Sequence, residues 1–166
     1  GNNFIDFIST TGTNNLTFNG ISIGTYVRFT GVGGTWQLQD ALTVTGSGIY
    51  IDQINGTLNT NGKSVTVDTF TAELGTLTLG ASTITISGSG GAFVIDPGMT
   101  TVSAASSTIS LTNTGVSQIQ FGGGGFTYNI LNITGGGTGR VLFQQSNTFA
   151  NLPQITGGTK NVRFTA

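Results

Sequence analysis

Strand-like segments follow one another from end to end of this sequence: NLTFNGISI, YVRFTG, TWQLQDALTVTG, IYIDQI, SVTVDTFTA, TLTLG, TITISG, AFVID, TTVSA, TISLTN, QIQFG, FTYNILNITG, VLFQQ and NVRFTA. Most hold runs of about 4–8 residues that place Val, Ile, Leu, Phe or Thr at alternate positions and stop at Gly, Asn or Ser, as strands bounded by turns do. Alternation with a period of two turns one set of side chains inward and leaves Thr, Ser, Asn and Gln outward. No apolar stripe at i, i+3, i+4 outlasts a single turn, so helices are excluded as a main element. The chain is predicted to be all-β.

Two architectures accommodate such a chain. Strands with turn signals every 8–12 residues or so can close into a β-sandwich or barrel. They can also wind into a parallel β-helix, or solenoid, in which each coil stacks two or three short strands on the coil before. Three features favour the solenoid. Asn-Gly hairpin signals are sparse, at Asn19-Gly20, Asn55-Gly56 and Asn61-Gly62 only. Small-residue breaks such as GSG, SGSGG and GGGTG recur where coils would bend. The phrases LTVTGSG, LTLGAS, ITISGSG, ISLTNTG and ILNITGGG repeat one theme without identity, as stacked coils require. The 166 residues form one solenoid domain, with residues 1–34 as less regular N-terminal winding. At about 20–30 residues per coil this gives roughly six to eight coils and a rod on the order of 30–40 Å long. The chain starts GNNFIDFIST without Met, which suggests a piece of something longer.

Composition narrows the chemistry. Charged residues make up only 7% of the chain, against roughly 25% in ordinary domains. Apolar residues still reach 36%, enough to bury a core, so the chain is read as folded. A formal net charge of -1 and five scattered Lys and Arg offer nothing to a nucleic-acid backbone. No apolar run approaches the ~20 residues of a membrane-spanning helix, so membrane insertion is not expected. The absence of Cys and His removes disulfides, thiolate sites and the commonest general base and metal ligand. No cofactor is expected.

The stretch TWQLQDALTVTGSGIYIDQINGTLNTNGKSVTVDTFTA, with LTLGASTITISG after it, resembles a repetitive β-strand module of tailed-bacteriophage structural proteins and related surface filaments. The resemblance rests on Trp36, Leu38, Asp40, Leu42 and Val44, then on Leu58, Thr60, Asn61, Gly62, Lys63 and Val65, then on Leu77, Leu79, Gly80, Ser82 and Ile84. An "Asn-Thr-Phe" coil at Asn147, Thr148 and Phe149 and a closing "Val-x-Phe-Thr-Ala" strand from Val162 extend it. It covers most of residues 35–166; the segments before that match only as generic strands. It implies a parallel β-helix in a virion fibre, spike or surface filament, and transfers no catalytic motif.

Several motifs suggest chemistry and have a plainer reading. Gly62-Lys63-Ser64 ends like a phosphate-binding loop, but five residues separate Gly56 from Gly62 where such a loop has four. A strand-type run, VTVDTFTA, follows where the loop would need a helix N-terminus. A turn between coils at Asn61-Gly62 is the expected role. Of the six acids, Asp40 and Asp96 sit beside turn residues and read as turn caps. Asp52 and Asp68 lie sixteen apart and would stack only across an unusually short coil. A Ser or Thr nucleophile would have only Lys63 or Lys160 as base. No calcium-loop pattern occurs, and GGGG at 122–125 reads as a coil corner.

Three functions from different classes remain. The leading one is a non-enzymatic rod on a virion or extracellular surface. It would join copies of itself or flanking domains by strand addition at Phe4, Ile5 and Phe7 on one end and Val162 and Phe164 on the other, since these strands lack the Pro or charge clusters that blunt an edge. The second is a carbohydrate-binding or depolymerising spike domain, with Trp36, Tyr50, Asp52 and Asp68 as glycan contacts, although the alternation with Leu38 favours a place for Trp36 in or at the edge of the core. The third is ice binding by Thr-x-Thr steps at Thr43/Thr45, Thr69/Thr71, Thr76/Thr78 and Thr83/Thr85, whose irregular spacing argues against one array.

Overall fold

The structure is a computed structural model that describes residues 3–135, 138–158 and 161–165. It is all-β, a parallel solenoid of seven coils with the first strand of an eighth. The first coil runs through β1 (Phe4–Phe7), β2 (Thr13–Leu16) and β3 (Ser22–Ile23). The second holds β4 (Tyr26–Phe29), β5 (Thr35–Leu38) and β6 (Leu42–Val44). The third holds β7 (Tyr50–Gln53), β8 (Thr57–Asn59) and β9 (Val65–Val67), and the fourth β10 (Thr69–Ala72), β11 (Thr76–Thr78) and β12 (Thr83–Ile86). In the fifth, β13 (Ala92–Ile95) is followed by one long bent strand, β14 (Thr101–Leu111). The sixth repeats that plan with β15 (Ile119–Gly122) and β16 (Thr127–Ile133). The seventh comprises β17 (Val141–Gln144), β18 (Thr148–Phe149) and β19 (Gln154–Ile155), and β20 (Val162–Thr165) begins the next.

Each coil contributes to three faces. Face A is the eight-stranded ladder β1-β4-β7-β10-β13-β15-β17-β20. Face B stacks β2, β5, β8, β11 and the start of β14; face C stacks β3, β6, β9, β12 and the end of β14. Because β14 turns the corner from B to C as one strand, the two faces are joined into a twelve-stranded sheet. A register shift between Ala104 and Thr108 absorbs that corner, where the Ser107 hydroxyl donates to the Ala104 carbonyl at 2.7 Å. The parallel pairing excludes the sandwich. Residues before Thr35 enter the same ladder: β1 pairs with β4 from Phe4↔Tyr26 to Phe7↔Phe29.

The alternation read from sequence sets the core. Inward positions such as Val27, Leu38, Ile51, Leu77, Ile84 and Ile109 are buried, while their outward neighbours remain part-exposed. Each such side chain contributes about 1.5–3 kcal/mol by leaving water. Inward from face A, Phe70, Phe93 and Phe121 stack at 5.5 Å intervals, and Phe143 and Phe164 continue the column. Identical rings stack well here because parallel in-register strands sit ~4.8 Å apart, close to aromatic contact distance. Tyr128 meets Phe93 and Phe121 edge-on and donates its hydroxyl to the Gly123 carbonyl at 2.9 Å. Burial pushes this phenol well above its ordinary range. It is a neutral core donor.

Buried polar side chains at the corners bond to backbone carbonyls, although Gln53 Oε1 is left without a partner among the described residues. The buried Thr60 hydroxyl donates to the Leu79 carbonyl at 2.9 Å and shares a 2.7 Å bond with Ser82 on the next coil. Buried Gln53 donates to the Thr76 carbonyl at 2.8 Å and to that of Gly56 at 3.2 Å. These are second bonds for two of the carbonyls, since Gly56 also accepts the Thr76 amide at 2.9 Å and Leu79 the Ser82 amide at 3.0 Å.

Candidate functional site

The sequence-derived residues separate into three groups once placed on the faces. The Gly62-Lys63-Ser64 motif occupies the turn between β8 and β9, which joins faces B and C within one coil rather than one coil to the next. Asn61 and Gly62 take φ of 52° and 71°, the left-handed pair that an Asn-Gly turn supplies at low cost. Among the described residues no helix follows it. Lys160 lies outside the described residues.

Three of the six carboxylates, Asp40, Asp68 and Asp96, accept backbone amides. Asp40 accepts from the amides of Phe18 at 2.9 Å and Asn19 at 2.6 Å, capping the turn of the coil below. Asp96 accepts from the Gly98 amide at 2.6 Å, the turn cap read from Asp-Pro-Gly. Asp68, in the corner between β9 and β10, accepts from the Gly48 amide at 3.0 Å. Asp52 stands instead on face A in register with Thr71, whose hydroxyl donates to it at 2.6 Å. Asp52 and Asp68 therefore do not stack. Coil length explains this: Thr71 follows Asp52 by 19 residues, so an offset of sixteen falls short of one turn. The exposed Glu73 carboxyl is held above its usual range by partial burial and by Asp52 and Asp96. No group of three acidic side chains among the described residues is arranged to hold a metal ion.

Trp36 is a correction to the glycan-contact set. Only 1% exposed, it points inward from face B against Phe29, with ring centroids 5.3 Å apart. Its alternation with Leu38 decided its side. Tyr50 and Asp52 do share a surface, on the N-terminal part of face A. There Phe4, Tyr26 and Tyr50 form one outward lane and Asp6, Arg28 and Asp52 the lane beside it. The Tyr26 and Tyr50 rings lie 4.4 Å apart, and the Arg28 guanidinium sits 3.7 Å over the Phe4 ring. Asp6 takes a two-pronged bond from Arg28 at 2.6 and 2.7 Å. That bond holds the Asp6 carboxyl below its usual range and the Arg28 guanidinium above its own. A row of ring faces beside polar groups can stack the apolar face of a sugar. Sequence reasoning missed Arg28 as a member because it lies 24 residues before Asp52, and only the register sets the two side by side.

Among the described residues β1 pairs only with β4 and β20 only with β17. At the first end Phe4 and Ile5 are 48% and 40% exposed, while Phe7 is half-buried and stacked on Phe29 at 5.0 Å. At the other, Val162 and Phe164 are 40% and 76% exposed. Because β20 stands one strand above faces B and C, a cleft of about 640 Å³ opens beneath it, floored by Phe149 and Ile155 and walled by Phe143, Val162 and Phe164. Each terminal strand carries a single charge, Asp6 and Arg163; Asp6 is taken up by Arg28. No protein-family model matches this chain, and neither a curated protein nor a solved structure matches it.

Proposed function

We propose that this chain is a non-enzymatic structural module, a stiff self-associating rod of a phage virion fibre or an extracellular filament. The observation that carries this reading is the pair of outermost strands, β1 and β20, each unpaired on one edge among the described residues and each with exposed apolar side chains beside that edge. Such edges add strands from another chain, since the ladder hydrogen bonds and the burial of Phe164, Ile155, Ile5 and Phe4 are gained together. Between the ends, stacked coils contact only their neighbours, so stiffness and stability accumulate along the axis. Sedimentation of the chain over a rising concentration series should show end-to-end oligomers. Phe164→Asp should abolish them, because docking would then desolvate a carboxylate. A wild-type chain that stays monomeric to millimolar concentration rejects the rod reading.

A second reading, a glycan-binding spike domain, is favoured by the Tyr26–Tyr50 ring pair beside Asp52 on face A. Retention of the chain on an array of bacterial surface glycans, lost in Tyr50→Ala, would support it. An array without binding removes it.

A further inference from the structure

The four Thr-x-Thr steps of the sequence are dispersed by the fold: Thr69/Thr71 lie on face A, Thr76/Thr78 on face B, and Thr83/Thr85 with Thr43 on face C. Face B nonetheless carries a continuous array that joins the Thr76/Thr78 step to other segments. Thr13, Thr35, Thr57, Thr76 and Thr101 are direct register partners on five successive coils. Two residues further along each strand, Asn15, Gln37, Asn59, Thr78 and Ser103 form a second lane in the same register. The lanes repeat at about 4.8 Å from coil to coil and lie about 6.6 Å apart along the strands.

Three properties of this array bear on what it can hold. The five threonine hydroxyls of the first lane make no hydrogen bond within the chain among the described residues, so each is available to a partner. Second, neither lane contains a charge: Asp40, Lys63, Glu73 and Asp96 are all displaced to the corners, and Asp6, Arg28 and Asp52 to face A. Third, the face is firmly backed, with Trp36, Leu58 and Leu77 buried directly beneath it between the lanes. Small-molecule sites are concave with a few convergent polar groups, which this face lacks. A rigid, uncharged, periodic surface instead suits a ligand that is itself rigid and periodic.

We propose that face B binds ice. The coil-to-coil repeat of about 4.8 Å lies close to the oxygen repeat of hexagonal ice along its a axis, so waters held by successive hydroxyls of the first lane fall near lattice positions. Threonine methyls fill the spaces between them, and the lack of charge leaves no ion hydration shell to disorder the layer. Each contact is weak, but five coils hold them in fixed relation, so the ordering cost is met once by folding and the contacts act together.

Thermal hysteresis and ice recrystallisation are measured for the wild-type chain, Thr57→Tyr, Thr35→Lys and Thr66→Tyr, each first checked as folded by far-UV circular dichroism. Thr57 sits in the centre of the array, Thr35 one coil away, and Thr66 is an outward face C residue between Thr43 and Thr85. The wild type is expected to depress ice growth. Thr57→Tyr and Thr35→Lys should each reduce the hysteresis to under about a tenth, because lifting the contact by an ångström forfeits much of its attraction. Thr66→Tyr should leave it unchanged. A folded wild type without hysteresis overturns the proposal, as does a loss in Thr66→Tyr equal to that in Thr57→Tyr.

Discussion

Replacing Gly75 by Val should destabilise the solenoid by about 3–5 kcal/mol, near the upper end of what single substitutions do. Gly75 has φ +92°, and a Cβ built there would lie 2.1 Å from the Gly56 carbonyl oxygen and 2.9 Å from the Gly56 nitrogen. Both obstacles are backbone. Gly56 cannot retreat, since its own Cβ position would meet the Trp36 ring at 2.7 Å and the Gly34 oxygen at 2.8 Å. The corner between faces A and B is thus a column of glycines whose backbones touch from coil to coil. A side chain in it must break the adjoining ladder bonds, from the Thr76 amide to Gly56 and from the Thr100 amide to Gly75, each 2.9 Å. Gly62→Ala is the matched comparison: φ is +71° but nothing lies within 4 Å, so only the left-handed strain of about 1–2 kcal/mol should appear. Urea midpoints of the two variants separate the contributions. Equal losses would show that backbone strain, and not coil-to-coil contact, sets the corner residue.

Phe121→Ala should cost about 3–5 kcal/mol, the range for emptying a buried aromatic site. Its ring lies 5.5 Å from Phe93, 5.3 Å from Tyr128, 5.5 Å from Phe149 and 6.1 Å from Phe143, so one truncation strips neighbours on three coils. In a solenoid that loss should stay near its origin, because stability is a sum over adjacent interfaces. Amide hydrogen exchange is therefore expected to accelerate in β15 through β19 while β4 through β9 keep their protection. Uniform acceleration along the chain would mean that the seven coils unfold as one unit.

Four of the Phe at inward positions of face A show what was legible in the residues alone. Phe70, Phe93, Phe121 and Phe143 each lie in a segment whose alternation marks them as core, and each is buried. The corners were legible for a similar local reason. Asp96-Pro97-Gly98 turns through its own side chain, and Asn61-Gly62 adopts left-handed angles that few other pairs tolerate. Trp36 was readable both ways, because a large amphipathic ring suits a core or a wet surface, and the alternation with Leu38 turned out to govern it.

Lateral neighbours were not legible, and the reason is coil length. From Ile51 to its partner Phe70 the chain takes 19 residues, but from Phe93 to Phe121 it takes 28. Corners of unequal length absorb the difference, so no fixed period in the sequence connects Tyr26 to Tyr50 or Thr57 to Thr76. Those alignments come from ladder hydrogen bonds that pair only when every inward side chain of one coil meets an inward side chain of the next; a slip by one residue would turn each coil inside out. The sequence by itself determined the strands, their inward faces and the turns between them, because these depend on side-chain alternation and local backbone preference. Which outward residues stand together, in the aromatic lanes of face A and the threonine lanes of face B, was decided only by the stacking of whole coils, since burial of a shared core fixes the register that brings them side by side.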